Sequence, residues 1–322
     1  MPLLFPLTAL TSAWLVNLIR HRLRAQLMDM PNHRSAHTIP TPRGGGLGFL
    51  LAFLLGLPLL LWLSPDLSPR LVWQVLSVLA PLALVGFLDD RQSLPAPTRY
   101  GVQLLSAGLA VLWFGPFPQP WLGPLGLVGQ AIAILLTAIG FTALVNLTNF
   151  MDGLDGFVGS ISALQLTLLG LLLNQSLWLL LAAALLGFLR WNWAPAKIFM
   201  GDVGSTTLGG AVAIALMQAP SQSWALLTLT LPITADAIYT LSRRLIQGEN
   251  IFTPHRTHLY QRLHQNNWTA PTITLTYLTY TLVIALLLQG GAAGPWVGLA
   301  LTVGLVAVTE TYLQRQGRRA LR

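Results

Sequence analysis

The sequence predicts an all-α fold, a polytopic integral membrane bundle of about eleven transmembrane helices. Three observations predict it. Of the 322 residues, 54% are hydrophobic and 9% charged, whereas soluble domains carry roughly 25% charged residues. So few charges cannot cover a water-facing surface. Long apolar stretches recur along the whole chain, and basic residues gather in every second connection between them.

A span needs about 20 apolar residues, fewer if tilted. Candidate stretches are 3–20, 44–63, 70–88, 100–115, 125–145, 157–174, 176–191, 205–219, 224–244, 271–288 and 295–313, of which the fourth, seventh and eighth are short. The first is apolar from Pro2 to Ile19, with Arg20, Arg22 and Arg24 behind it rather than in front. A secretory signal carries its basic residues first. This predicts a retained first span with its N-terminus outside.

From that start the connections 20–43, 89–99, 146–156, 192–204 and 245–270 fall in the cytoplasm, as does the tail from Gln314. Of the 18 Lys and Arg residues, all but Arg70 lie in or beside these segments, as the positive-inside rule requires. The opposite connections are short and built from turn formers: Ser64-Pro65-Asp66, Gly115-Pro116, Asn174-Gln175 and Gly290-Gly291. No repeat interrupts the pattern, so residues 1–322 read as one membrane domain with its polar loops on one face. The net charge of +8 belongs to these loops, and no soluble basic domain exists to hold nucleic acid. The absence of cysteine removes disulfides, thiolate metal sites and cysteine nucleophiles.

The ionisable residues follow the same geography. All six histidines (His21, His33, His37, His255, His258 and His264) fall in cytoplasmic segments, with Asp89, Asp90, Asp152, Asp155 and Asp202. Asp89 and Asp90 close the third span, Asp152 and Asp155 follow the fifth, and Asp202 follows the seventh. Each is expected near a helix C-terminus, where the macrodipole disfavours negative charge by about 0.3–1 kcal/mol. Any one alone reads as a solvated loop acid. Three such sites at one depth argue for a shared cation, and an all-oxygen cluster favours Mg²⁺ or Mn²⁺ over zinc.

Within Asn146-Leu-Thr-Asn149-Phe-Met-Asp152-Gly-Leu-Asp155-Gly156, polar residues recur every three positions. A helix would align Asn146, Asn149 and Asp152 on one face. Amides beside carboxylates suit a sugar, a base or a metal-bound phosphate. The segment Lys197-Ile-Phe-Met-Gly201-Asp202-Val-Gly204-Ser205 adds a glycine-flanked acid and leads into the eighth span, whose N-terminus could accept an anion. It lacks the Gly-Lys-Ser/Thr of a P-loop. Gly44-Gly45-Gly46-Leu47-Gly48 is not a dinucleotide fingerprint. Cations gather in Arg34-Ser-Ala-His37-Thr-Ile-Pro40-Thr-Pro42-Arg43, and again around His255-Arg256-Thr-His258-Leu-Tyr260-Gln-Arg262. The latter has no Glu in the metalloprotease position, so phosphate or nucleotide contact is the better reading. Asp236 stands apart inside the ninth span after Pro232. An intramembrane acid is a functional candidate by default, and a structural hydrogen bond is the equal alternative.

Four segments together resemble the polyprenyl-phosphate N-acetylhexosamine-1-phosphate transferases. They are Asp89-Asp90, the 146–156 segment, Asn192 to Ser205, and the histidine loop at 255–262. The run from Asn32 to Gly46 resembles the branch that initiates O-antigen and other surface polysaccharides. The resemblance covers nearly the whole chain in order. It implies transfer of an N-acetylated hexosamine 1-phosphate from a UDP-sugar to undecaprenyl phosphate, with release of UMP, at the cytoplasmic face of a bacterial inner membrane. It implies Mg²⁺ (Mn²⁺ as substitute) on Asp202, with Asp152 as a second ligand. Asp89 would take a proton from or orient the lipid phosphate, with Asp90 beside it. Asn146, Asn149, Asp152, Asp155 and Asn192 would line the nucleotide-sugar site, Asp155 nearest the uracil. Arg43, Arg99 and Arg256 would meet phosphates, and His255 and His258 would belong to the catalytic histidine loop. The loop departs from the peptidoglycan translocase branch, which has three successive histidines, and that leaves the sugar open. A monomer and a homodimer are both compatible with the sequence.

Two other classes share parts of this pattern. A secondary transporter would place its polar groups at the bilayer midplane, and only Asp236 does so. A CDP-alcohol phosphotransferase expects Asp-Gly-x-x-Ala-Arg, which Asp152-Gly-Leu-Asp-Gly-Phe breaks.

Overall fold

The computed structural model describes residues 3–22, 27–30, 39–251, 253 and 255–320, the side chains of 317–320 excepted. Arg24, His33, Arg34, His37, Phe252 and Pro254 of the cationic and histidine loops lie outside the described residues.

Each of the eleven apolar stretches is helical. In chain order the helices are α1 (Leu4–Arg22), α2 (Gly45–Leu63), α3 (Pro69–Gln92), α4 (Ala96–Phe114), α5 (Gly126–Phe150), α6 (Phe157–Leu172), α7 (Ser176–Asn192), α8 (Asp202–Met217), α9 (Ser223–Leu227), α10 (Leu231–Ile246), α11 (Leu259–Gln265), α12 (Ala270–Leu287) and α13 (Gly294–Ala320). Five helical segments are long and apolar enough to cross a membrane: Gly45–Leu63, Pro69–Gln92, Pro120–Phe150, Ser223–Ile246 and Ala270–Gln316. The last turns back on itself at Gly290 and Gly291. Contacts of Tyr280 with Thr302 and of Trp268 with Tyr312 show α12 and α13 running antiparallel. Helices α6, α7 and α8 are apolar but shorter.

Two details differ from the sequence reading. The ninth stretch is not one helix: α9 ends at Leu227, a 3-10 turn covers Thr228–Thr230, and α10 begins at Leu231. Pro232 falls in the first turn of α10, where a missing N–H costs nothing. The fold is also not purely helical, because Met28–Asp29 (β1) pairs antiparallel with Thr41–Pro42 (β2).

Helix α8 is the axis of the bundle. Every residue from Val203 to Met217 is buried, and α2, α3, α5 and α6 pack around it. Its sequence explains this position, because Gly, Ala, Ser and Thr let neighbouring backbones approach closely. A Cβ on Gly46 would stand 2.6 Å from the Gly204 nitrogen, and one on Gly209 would stand 2.7 Å from the Val145 Cα. Helix α7 is sealed on the other side by α1, α2 and α6.

The connections at one end of the bundle are tied to one another. Pro42 accepts from the Phe199 N–H, Gly45 donates to the Phe199 carbonyl and Gly46 to that of Met200. The sequence placed these segments on one face, and the structure joins them into one surface.

Candidate active site

The site begins with a helix start. Gly201 adopts φ +78°, a left-handed value that favours glycine, and the chain then enters α8 at Asp202. The exposed N–H groups of the first turn are met by a side chain from α3. Asp90 Oδ1 accepts from the Asp202 N–H at 2.9 Å and Oδ2 from the Val203 N–H at 3.1 Å. A carboxylate there satisfies two unpaired donors and the positive end of the helix dipole. Asp202 is thus the first residue of α8 rather than a residue trailing α7, so its helix terminus favours negative charge. The anion at that N-terminus is supplied from within the protein. Each Asp90 oxygen thus accepts from one backbone N–H of the first turn of α8.

Beside this cap a small cleft opens between α3, α4, α5 and α8. It is lined by Asp89, Arg99, Gln103, Asn146, Asn149 and Asp202, over a floor of Gly86 and Thr206. Asn149 donates to Asp202 Oδ1 at 2.9 Å and to Ser205 Oγ at 2.9 Å. Asn146 donates to Gln103 Oε1 at 2.7 Å and the Gln103 amide returns the bond at 3.3 Å. Asp89 accepts from the Leu94 N–H at 2.5 Å and from Arg99 Nη1 at 3.0 Å. Its side chain is 8% exposed while that of Arg99 is 41% exposed. The guanidinium therefore keeps an accessible edge for an incoming anion. Asp89 and Asp202 lie within hydrogen-bonding reach of each other.

Gln103 was not among the residues singled out from sequence. It is 3% exposed and one turn beyond Arg99 on α4, so the two share a face. A lone amide in an apolar helix, four residues from an arginine, was the available signal.

The 146–156 segment departs from the expected single face. Helix α5 ends at Phe150, so Asn146 and Asn149 face the cleft while Asp152 sits in the turn that follows. Asp152 has Asp90, Arg43 and Asp155 among its charged neighbours, and Asp89 and Asp90 are carboxylates beside Asp202. Burial pushes the Asp152 carboxyl up to about 7, with repulsion from Asp90 and Asp155 adding and Arg43 opposing. Asp155 and Asn192 both bond to backbone. Asp155 Oδ2 accepts from the Ala196 N–H at 2.8 Å. Buried Asn192 accepts from the Gly156 N–H at 3.1 Å and donates to the Ile198 carbonyl at 2.9 Å. Together they pin the 193–201 loop that delivers Asp202.

Arg43 follows β2 and pairs with Asp29 of β1 at 2.8 Å, its side chain 41% exposed, and its field reaches Asp90 and Asp202. The histidine loop enters from the α10–α11 connection. His255 and His258 lie ring against ring with centroids 4.9 Å apart. His255 Nδ1 meets the Thr257 hydroxyl at 3.0 Å. Burial lowers the His255 pKa to about 4, helped by His258, Arg244 and Arg243, so its imidazole is neutral at physiological pH. His258 is buried against Asp236. Arg256 lends its carbonyl to the Gln265 amide. The loop reaches the 151–156 turn through Tyr260, whose hydroxyl donates to the Phe150 carbonyl at 3.4 Å.

Among the described residues, no three His, Cys, Asp or Glu side chains converge as a metal cage. The donor set nevertheless fits Mg²⁺, which binds through one or two carboxylates and completes its shell with water and substrate phosphates. Asp89 and Asp202 provide two mutually close carboxylates, with Arg99 bonded to Asp89.

The profile of glycosyl transferase family 4 matches residues 72–219. The chain is 34% identical over 292 residues to a decaprenyl-phosphate N-acetylglucosaminephosphotransferase of Mycobacterium tuberculosis, covering 78% of this chain and 71% of the relative. It is 30% identical over 264 residues to a probable undecaprenyl-phosphate N-acetylglucosaminyl 1-phosphate transferase of Bacillus subtilis, covering 76% and 71%. It is 30% identical over 318 residues to an undecaprenyl-phosphate alpha-N-acetylglucosaminyl 1-phosphate transferase of Yersinia pestis, covering 87% and 82%.

Proposed function

The chain belongs to glycosyl transferase family 4, and from that premise we propose that it moves an N-acetylhexosamine 1-phosphate from a UDP-sugar onto undecaprenyl phosphate. An oxygen of the lipid phosphate attacks the β-phosphorus of the donor. The bond from that phosphorus to the bridging oxygen breaks, and UMP leaves. The product is a polyprenyl diphosphate sugar, the starting unit of a surface polysaccharide such as O-antigen. The enzyme works in the bacterial inner membrane with its site toward the cytoplasm.

The observation that carries this reading is the cleft between α3, α4, α5 and α8, where two carboxylates, an accessible arginine and three amides meet. Phosphoryl transfer is catalysed chiefly by positioning and charge neutralisation, and these groups supply both. Arg99 attracts the lipid phosphate and is held in place by Asp89. Asn149 orients the Asp202 carboxylate, and the reciprocal Asn146–Gln103 pair ties α4 to α5 beside it. Bound Mg²⁺, held by Asp202 with Asp89, would neutralise the pyrophosphate. Asp152 and neutral His255 would serve as hydrogen-bonding groups for the nucleotide sugar. The donor sugar is GlcNAc or a deoxy relative of it.

The two rival classes lack a comparable observation. The one mid-span acid, Asp236, is engaged by protein donors, and the Ala-Arg of the CDP-alcohol enzymes is missing from the 152–157 segment. Incubation of purified protein with Mg²⁺, undecaprenyl phosphate and a panel of UDP-sugars tests the proposal. UMP release that needs both lipid and one N-acetylated donor supports it, and release without lipid, or no release with any donor, refutes it.

A further inference from the structure

Asp236 is 2% exposed in α10, and ionised carboxylates are seldom buried unless every lone pair has work to do. Here each does. Oδ1 accepts from the Leu259 N–H at 2.8 Å and the Thr240 hydroxyl at 3.2 Å. Oδ2 accepts from the Tyr260 N–H at 3.0 Å and the Tyr277 hydroxyl at 2.7 Å. His258 Nδ1 stands 3.6 Å from Oδ1. One carboxylate thus joins α10, the first turn of α11, and α12.

What that turn carries matters. The Tyr260 ring stacks on Phe157 at 4.9 Å and 17°, and Tyr277 meets Phe157 edge-on at 4.8 Å. The Tyr260 hydroxyl donates to the Phe150 carbonyl and lies so close to Gly153 that a Cβ there would approach it to 2.4 Å. Asp236 therefore fixes the histidine loop against the turn that holds Asp152, from the far side of both.

We propose that Asp236 is the positioning residue of this enzyme: it sets His258 and Tyr260 against the 151–156 turn, and turnover depends on that setting. The inference rests on the transferase reading for its kinetic arm. Two backbone N–H groups address two different oxygens, so an amide cannot replace the acid. Asn would turn an NH₂ group toward one N–H and lift that part of α11 away. A displacement of about 1 Å at a reacting group costs as much as 100-fold in rate. The loss should fall on kcat more than on KM, because Asp236 touches no substrate.

The test uses full-length Asp236→Asn, His258→Ala, the double variant and Tyr277→Phe. Rates are normalised to folded, monodisperse protein. Asp236→Asn should lower kcat by about 10–100-fold and speed hydrogen–deuterium exchange across 255–265. The double variant should be no slower than His258→Ala alone, since coupled residues are not additive. Tyr277→Phe removes one donor but leaves both N–H bonds, so its loop exchange should stay near wild type. Wild-type kcat in Asp236→Asn, additivity with His258→Ala, or unchanged loop exchange would each overturn the proposal. If Asp236→Asn does not fold, Asp236→Glu keeps both acceptors on a longer stem and takes its place with the same expectations. Should the wild type transfer no sugar phosphate at all, faster loop exchange in the variant still upholds the anchor while the proposed function fails.

Discussion

Asp90, near the end of α3, caps the helix that begins at Asp202, taking the Asp202 and Val203 N–H groups at 2.9 and 3.1 Å. The two halves of the site are joined by this contact, across 112 residues of chain. Replacing Asp90 by Ala leaves two partly buried donors unpaired, at up to about 1–3 kcal/mol each. The melting temperature in detergent should fall for Asp90→Ala and fall less for Asp90→Asn, which keeps one acceptor. Equal melting for all three proteins would remove Asp90 from its capping role.

Close helix contact gives a sharper contrast. A Cβ on Gly86 would stand 2.5 Å from the Asp202 carbonyl oxygen, whereas a Cβ on Gly101 meets nothing within 4 Å. Gly86→Ala should therefore push α3 from α8, destabilise by about 1–3 kcal/mol and depress activity. Gly101→Ala, on an open face of α4, should be neutral or slightly stabilising by helix propensity. Thermal melts and UMP release on the pair check this. A tolerated Gly86→Ala would contradict the packing.

The Asp152 carboxyl is raised from 3.8 to about 7 by burial. Between about pH 4 and 7 the folded protein then holds a proton that the unfolded chain has released. Stability contributed at this position falls as pH rises through that window. Without divalent cations, Asp152→Asn should melt higher than wild type, and by a wider margin at pH 8 than at pH 5. The scale is about 2–4 °C per kcal/mol. Mg²⁺ should narrow the gap if it favours the ionised acid. A margin independent of pH would show that the Asp152 carboxyl is not raised in the folded protein.

Helix α3 offers a test of orientation, since Asp66 precedes it and Gln92 ends it, both exposed. The chain has no cysteine, so Gln92→Cys and Asp66→Cys each carry a single thiol. An impermeant thiol reagent applied to intact cells should label Asp66→Cys and spare Gln92→Cys. The reverse pattern would place the cleft outside. Arg70→Glu, at the outer end of the same helix, should leave activity within about twofold, as substitutions away from such features rarely exceed 0.5 kcal/mol.

Hydropathy and charge made the helices and their common polar face legible, because lipid enforces apolar length and loops collect arginine. The finer geometry was not legible, for physical reasons. Nothing in the spacing marks that α5 stops at Phe150, so Asp152 was aligned with Asn149 when a turn separates them. The side chains of Asp155 and Asn192 hold backbone groups more than 35 residues away, and such bonds have no local signature. Gln103 was overlooked because its partner, Asn146, lies on another helix. Asp236 was recognised as unusual, but its donors come from α11 and α12, which only the fold brings to it.

The central claim is that the Asp202 carboxylate, held by Asn149 beside Asp89, is the group on which transfer depends. The most direct measurement is lipid-dependent UMP release by Asp202→Asn, at matched amounts of membrane-inserted protein and with melting compared to wild type. The expected result is a fall of at least about 100-fold, the scale for removing a group that stabilises charge in the transition state, with the melting temperature little changed. Turnover near wild type in that variant would contradict the assignment of the site.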